Sequence, residues 1–241
     1  MKPKIRINDL YGTVVFLILW EITVRTVDSP ILIRMGNLFE AAFRLLQSPA
    51  FWNNLLASLR MLFIGYAIAV GLSFVLSVIV YNIPLLNTLL TPVLSSTRNV
   101  AAVSIVPILI VLLGIEKAKI AAVIWTAYPA IFVNTMFGYR SIEQEVIDAA
   151  RLDGATEWQV WQYMRLPLAK RYIVTGLMLG VTGAWITLVT AEAIGSTKGI
   201  GYAIIQKTQL FQYADAYIYI LVVALASYLS LKTIHLFESE V

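Results

Sequence analysis

From residue 61 to residue 97 the chain carries no charged side chain. So long an apolar run has no stable exposed form in water, and it far exceeds the roughly 20 residues that one helix needs to cross a bilayer. Asn82, Ile83 and Pro84 supply a turn inside it, so the run divides into two helices. The expected fold class is therefore all-α, a polytopic membrane helix bundle, because backbone in hydrocarbon must satisfy its hydrogen bonds within each segment. Composition agrees: hydrophobic residues make up 59% of the 241 positions and charged residues 13%, about half the charged share of a soluble domain.

The remaining spans follow from the same length rule, which gives about six in all. The first covers residues 11–27. Lys2, Lys4 and Arg6 precede it, and Glu21 and Arg25 follow its apolar centre without a small-residue cleavage site, so it is a retained span and not a cleaved leader. Residues 31–49 are amphipathic and suit either an interfacial helix or one packed against the bundle. The helix at 55–81 carries Gly65, Ala67, Ala69, Gly71 and Ser73, small residues that let helix backbones approach. The next starts near residue 86 and contains Pro92 and Pro107, which imply bends or unwinding; it ends in a turn at 114–117. Spans at 120–139, 172–191 and 216–234 complete the set. Between the last two, Gly195 to Gly201 reads as a flexible glycine-rich loop, followed by an amphipathic stretch to Asp215.

Residues 141–167 form the one long polar passage between spans. Ser141 with Gln144, and Thr156 with Gln159, each have the spacing of a capping box. Ile142, Val146, Ala149 and Ala150 recur at helical spacing as one stripe. Gly154 ends the first short helix with a reversal that favours positive φ. Trp158, Val160, Trp161 and Met164 lie on a second short helix, which Pro167 is expected to break. Trp158 and Trp161 are placed to share a face. Such a helix pair either docks in a groove on another protein or packs on its own chain, and its tryptophans suit lipid headgroups as well.

Several chemistries are excluded. There is no cysteine and only one histidine, His235, so thiolate and clustered-histidine metal sites are absent. No phosphate-binding Gly-x4-Gly-Lys-Ser/Thr loop and no hydrolase nucleophile motif occurs. The net charge of +4 is small and scattered, which points away from nucleic acid. Arg98 and Glu192 are charges at span depth or edge. They either border a solute route or are structural. Asn99, Ser104, Asn134, Thr187 and Thr190 are polar enough to face the same route. Residues alone leave a secondary transporter or channel open, although no inverted repeat is visible.

Asp148-Ala149-Ala150, three residues, Gly154, nine residues, then Met164-x-Leu166-Pro167 resembles the EAA loop of ABC-importer permeases, with Asp for Glu and Met for Ile. The resemblance spans about residues 53–238 and is similar to the nitrate/sulfonate/taurine-type subfamily of type I importers. Its further matches include Ser58 to Arg60, Arg98, Pro107, Gly114 to Glu116, Glu192, and Gly199 to Gly201. Asn99, Ala101, Ser104 and Ile105 depart from that subfamily along the Arg98 to Pro107 stretch.

The resemblance implies a MetI-like permease core at 53–241 with coupling helices at 141–167, preceded at 1–52 by a transmembrane helix and the amphipathic helix. It implies that Asp148, Ala149, Ala150, Gly154, Trp158, Trp161, Leu166 and Pro167 meet an ATPase. It further implies a pathway near Arg98, Asn99, Ser104, Asn134, Thr187 and Glu192. The expected partners are two ABC ATPase subunits holding ATP-Mg, a second permease subunit, an external binding protein and the bilayer. The chain itself is expected to hold no cofactor or metal and to be no enzyme. The solute is small, polar or anionic: nitrate-, sulfonate- or taurine-like, or a vitamin or pyrimidine precursor. The expected location is the bacterial inner membrane with both termini cytoplasmic. The basic residues around 141–167 favour that orientation, although Arg25, Arg34, Arg44 and Arg60 then fall outside. For lack of a phosphate loop, the purified chain alone is expected neither to bind nor to hydrolyse ATP; nucleotide retained by the partner-free subunit in a filter-binding assay would contradict this reading.

Overall fold

A computed structural model describes residues 7–27, 29 and 31–239. Lys2, Lys4, Arg6, Asp28 and Pro30 lie outside the described residues, as does the side chain of Arg98. The elements are α1 (Ile7–Thr26), α2 (Met35–Leu46), α3 (Pro49–Asn82), α4 (Pro84–Ser96), α5 (Ala102–Leu113), α6 (Ile115–Arg140), α7 (Gln144–Leu152), α8 (Glu157–Val160), α9 (Leu166–Gly195), α10 (Ile200–Gln209) and α11 (Tyr213–Ser239). Among the described residues there is no strand.

Among the described residues, four continuous helices are long and apolar enough to cross a membrane: α3, α6, the run from Glu157 to Gly195, and α11 to Leu236. The two other expected spans correspond to α1 and to the pair α4 and α5. That pair is broken by a 3-10 turn at Thr97–Asn99, so unwinding falls between the prolines and not at them. Pro92 and Pro107 stay inside their helices on exposed faces. The expected turn at 114–117 narrows to Gly114, whose φ of 76° lets α6 begin at the next residue.

The centre of the bundle is α6, packed against α3 on one side and, most extensively, against α9 on the other. On α3 the buried residues Ser58, Leu62, Gly65, Ala69, Ser73, Ser77 and Val80 recur every three or four positions, one narrow stripe of mostly small side chains. A Cβ on Gly65 would lie 2.8 Å from a Val123 methyl, so only glycine lets α3 approach α6 there. Along the facing seam, Gly138 meets Ala169 and Tyr172, while Gly176 and Gly180 meet Ile131. Polar bonds cross both contacts: Ser73 Oγ donates to the Tyr128 carbonyl (3.0 Å) between α3 and α6, and the Thr126 and Thr187 hydroxyls are 2.8 Å apart between α6 and α9; Tyr66 OH donates to the Leu177 carbonyl (2.7 Å) and ties α3 to α9.

α2 settles against α11. It buries Ala41 and Leu45, and Arg44 pairs with the buried Asp215, which also binds Lys207 at 3.0 Å. Its Phe39 and Phe43 stay exposed. The amphipathic stripe is thus used for packing on the bundle, and its opposite face remains apolar.

The α6–α9 seam generates a test. Gly138→Leu adds atoms where a Cβ alone would sit 2.9 Å from the Ala169 Cβ and 3.0 Å from the Tyr172 Cβ. Overpacking of this kind costs about 1–3 kcal/mol. The full chain in detergent is expected to lose thermal stability, whereas Gly71→Leu, with nothing within 4 Å of the added Cβ, is not. Equal melting of both variants would show that the seam is not close-packed.

Candidate functional site

The polar helix pair hangs between the end of α6 and the start of α9. The first capping box does not form. Ser141 Oγ donates instead to the Gly138 carbonyl (2.9 Å), the cap position is Glu143, and Gln144 reaches forward to Asp148 (2.9 Å). α6 runs on to Arg140 and already uses the Ser141 amide, bonded to Phe137 O, so α7 starts two residues later than the box requires. The stripe shifts with it: Ile147 is buried, while Val146 and Ala149 are exposed.

The reversal after α7 follows the sequence closely. The Gly154 amide donates to Arg151 O and the Ala155 amide to Ala150 O, both at 3.0 Å. This is a Schellman closure, and it explains the glycine at 154. Gly154 has φ of 88°, and an added Cβ would meet nothing within 4 Å; the constraint is torsional and not steric. Thr156 then caps α8. Its Oγ accepts from the Gln159 amide (3.3 Å) and its own amide donates to the Gln159 side chain (2.7 Å). Arg151 bridges the two helices, to Glu157 at 2.7 Å and Asp148 at 3.3 Å. These pairs are exposed and contribute little to stability.

Pro167 does not break the second helix. Residues Trp161–Arg165 widen into a π turn, with the Leu166 amide donating to Trp161 O, and Pro167 sits in the first turn of α9. The wider turn accommodates a residue with no amide hydrogen and a ring that crowds the preceding turn. It also rotates the side chains. Trp161 turns inward, edge-on to Tyr139 (ring centroids 5.1 Å) and Tyr81 (5.7 Å). The buried Arg165 guanidinium lies 4.7 Å from the Tyr81 ring centre and 4.9 Å from that of Trp161. This cation–aromatic cluster fastens the helix pair to the ends of α3 and α6. Trp158 and Trp161 therefore do not share a face. The apolar side chains that protrude are Leu152 (88% exposed), Trp158 (74%) and Tyr163 (69%); Met164 is half-buried. Tyr163 was not singled out by the sequence, since nothing local marks the π turn that exposes it; Leu152, at the end of α7, lies off the expected apolar stripe.

The residues expected along a solute route separate into two groups. Asn99 and Ser104 are exposed at the break between α4 and α5, beside the backbone of Arg98. Asn134 bonds back to the Ala130 carbonyl, Thr190 bonds back to Ile186, and Thr187 is buried against Thr126. Glu192 is fully buried. It accepts from Ser58 Oγ (2.7 Å) and the Gly201 amide (2.9 Å), while the Ile200 amide donates to Ser58 Oγ (2.8 Å). The end of α9 thus caps the first turn of α10, where backbone donors and the helix dipole favour a carboxylate. A Cβ on Gly199 would overlap that carboxylate and one on Gly201 would overlap the Val189 carbonyl oxygen. The glycine-rich stretch is a fitted joint and not a flexible loop.

Residues 61–237 match the family model described as the inner membrane component of binding-protein-dependent transport systems. A probable ABC transporter permease of Brucella melitensis is 28% identical over 73% of this chain and 71% of its own length. The taurine transport system permease TauC of Escherichia coli is 30% identical over 64% of this chain and 56% of its own length. Among solved structures, a chain of the inward-facing MetNI methionine ABC transporter superposes with a TM-score of 0.61 at 19% identity, over 84% of this chain and 95% of that one.

The reversal at Gly154 generates a test. Valine at that φ costs about 1–2 kcal/mol, whereas asparagine is better tolerated. Gly154→Val is expected to loosen the turn and speed tryptic cleavage after Arg151 in the detergent-solubilised chain, with Gly154→Asn close to wild type. Identical cleavage of all three forms would mean that the reversal does not depend on glycine.

Proposed function

The chain belongs to the binding-protein-dependent transport system inner membrane components and is the membrane-spanning permease subunit of an ABC importer, and from that premise we propose how it couples to ATP and what it carries. The α7–α8 pair docks in a cleft of an ABC ATPase subunit. Leu152, Trp158 and Tyr163 supply the apolar contact. Asp148, Ala149, Ala150 and Gly154 set the path of the reversal, and Leu166 and Pro167 join it to α9. Trp161 serves the contact indirectly, by anchoring the pair to α3 and α6. The observation that carries this reading is the closed turn at Gly154, which presents Leu152 and Trp158, both highly exposed, on neighbouring helices.

Two ATPase subunits, each holding ATP-Mg, would close on two permeases, this chain and a copy or close homologue. Their closure drives alternation between inward- and outward-facing states, since an equilibrium shifts only by the differential free energy supplied to its two states. An external binding protein delivers the solute. The solute class is small and polar or anionic, taurine- or sulfonate-like or a vitamin or pyrimidine precursor; the similarity to TauC supports the first of these. The route runs along the broken α4–α5 unit at Arg98, Asn99 and Ser104, while Asn134, Thr187 and Glu192 hold its walls together. In this arrangement 141–167 faces the cytoplasm of a bacterial inner membrane, both termini lie on that side, and α10 lies outside. Residues 53–241 form the permease core, and 1–52 add a helix and α2, which docks on α11.

The test is copurification with the cognate ATPase together with solute uptake. Large aromatics at an interface often account for about 2 kcal/mol or more of binding. Trp158→Ala is expected to weaken ATPase association at least tenfold, about 1.4 kcal/mol, and to reduce uptake in step, with normal membrane insertion. Full association and full uptake by Trp158→Ala and by Leu152→Ser would remove the docking assignment.

A further inference from the structure

At the end of α6 opposite the polar helix pair lies a second polar feature, a cavity of about 820 Å³ between the starts of α3 and α6, the 196–199 joint and α10. That size is within the range of small-molecule sites, about 300–1,000 Å³. Arg60, Lys119 and Lys198 line it against one carboxylate, Glu116. Neither Arg60 nor Lys198 has a carboxylate within ion-pair distance among the described residues. Lys119 is 2% exposed and donates to Glu116 (2.9 Å) and Ser196 Oγ (3.2 Å), so one of its three N–H donors remains.

The neutral groups point to the same chemistry. Asn54 Oδ1 accepts from the Gly199 amide (3.1 Å), which fixes the orientation of the carboxamide and leaves its NH₂ to donate. Tyr202 OH accepts from Gln206 (3.0 Å) and keeps its own hydrogen. Glu116, the carboxylate in the wall, is already engaged by Lys119. The spare capacity of the cavity thus includes two unpaired cations and the free donors of Asn54 and Tyr202.

We propose that this cavity is an anion-binding site of the permease itself, taking the carboxylate or sulfonate group of a small organic solute at the mouth opposite the ATPase contact. Arg60 and Lys198 bind the anion directly, Lys119 holds the inner wall in register through Glu116 and Ser196, and Asn54 and Tyr202 add neutral donors. Because Asn54 also holds the 196–199 joint through the Gly199 amide, an anion that takes its NH₂ is bonded to a residue that fixes that joint. As a reception site for solute, the proposal rests on the permease reading.

The test uses the full chain in phosphatidylcholine nanodiscs, titrated calorimetrically with methanesulfonate and with its neutral analogue dimethyl sulfone. Methanesulfonate is expected to bind, more weakly at higher salt, and dimethyl sulfone is not. Loss of one charge-assisted bond corresponds to about a tenfold loss of affinity, expected for Arg60→Gln and for Lys198→Gln; both side chains are exposed, so folding is spared. Equal binding of the neutral analogue, or unchanged affinity in the Arg60→Gln/Lys198→Gln double variant, overturns the proposal. A repeat in phosphatidylglycerol nanodiscs separates two sources of anion. Undiminished affinity supports a free solute, whereas competition by the lipid assigns the site to a headgroup and overturns the solute role. No ATPase is present, so a negative result removes the anion site and leaves the permease role standing. Full ATPase association and uptake by the docking variants would instead remove the docking assignment and leave the anion site standing.

Discussion

The α6–α9 seam is the contact on which the rest of the molecule depends. Inside a bilayer the spans gain nothing by hiding apolar surface from one another, since lipid is equally apolar; association relies on close packing and on polar bonds across it. Gly138, Gly176 and Gly180 let the two backbones meet through single side chains, and α3 is drawn onto the other side of α6 by Gly65 and Ala69 in the same way. What then faces outward is apolar by default: Phe63, Val111 and Leu112 are mostly exposed, as a lipid-facing or subunit-facing surface requires.

That seam also explains why the two ends of the bundle carry the polar features. α6 and α9 are joined at one end by α7 and α8, and at the other end α9 turns into α10 beside the start of α6. Each end is tied to the seam by a buried ionisable group. At one it is Arg165 among Tyr81 and Trp161, and at the other it is Glu192 under Ser58 and the α10 amides. Buried charges are costly unless their surroundings satisfy them. Glu192 is met by a hydroxyl and a backbone amide. Arg165 is met by aromatic faces, and its Nε finds no hydrogen-bond acceptor among the described residues. The helix pair is thus packed against the ends of α3 and α6 where it leaves the bundle.

Legibility from sequence tracked the range of the interaction involved. The all-helical membrane class, four of the about six expected spans, the reversal at Gly154 and the Thr156–Gln159 capping box stand in the structure, because each depends on hydropathy over one segment or on bonds between residues within five positions. The Ser141 box failed for a related reason: an equally local competitor, one more turn of α6, used the same amide.

What only the tertiary structure decided was direction. A π turn at Trp161–Arg165 advances the chain out of the 3.6-residue register, so Trp161 faces Tyr139 and Tyr81 while Tyr163 turns outward. Glu192 reads alike as a pathway residue or a structural one until Ser58, 134 positions earlier, is seen to donate to it. The donor-lined cavity at the far end draws on α3, α6, the 196–199 joint and α10 and has no signature in any one of them. Periodicity reports the face of a helix that is apolar, but the neighbour to which that face turns is set by packing between segments far apart in the chain, and no local pattern encodes it.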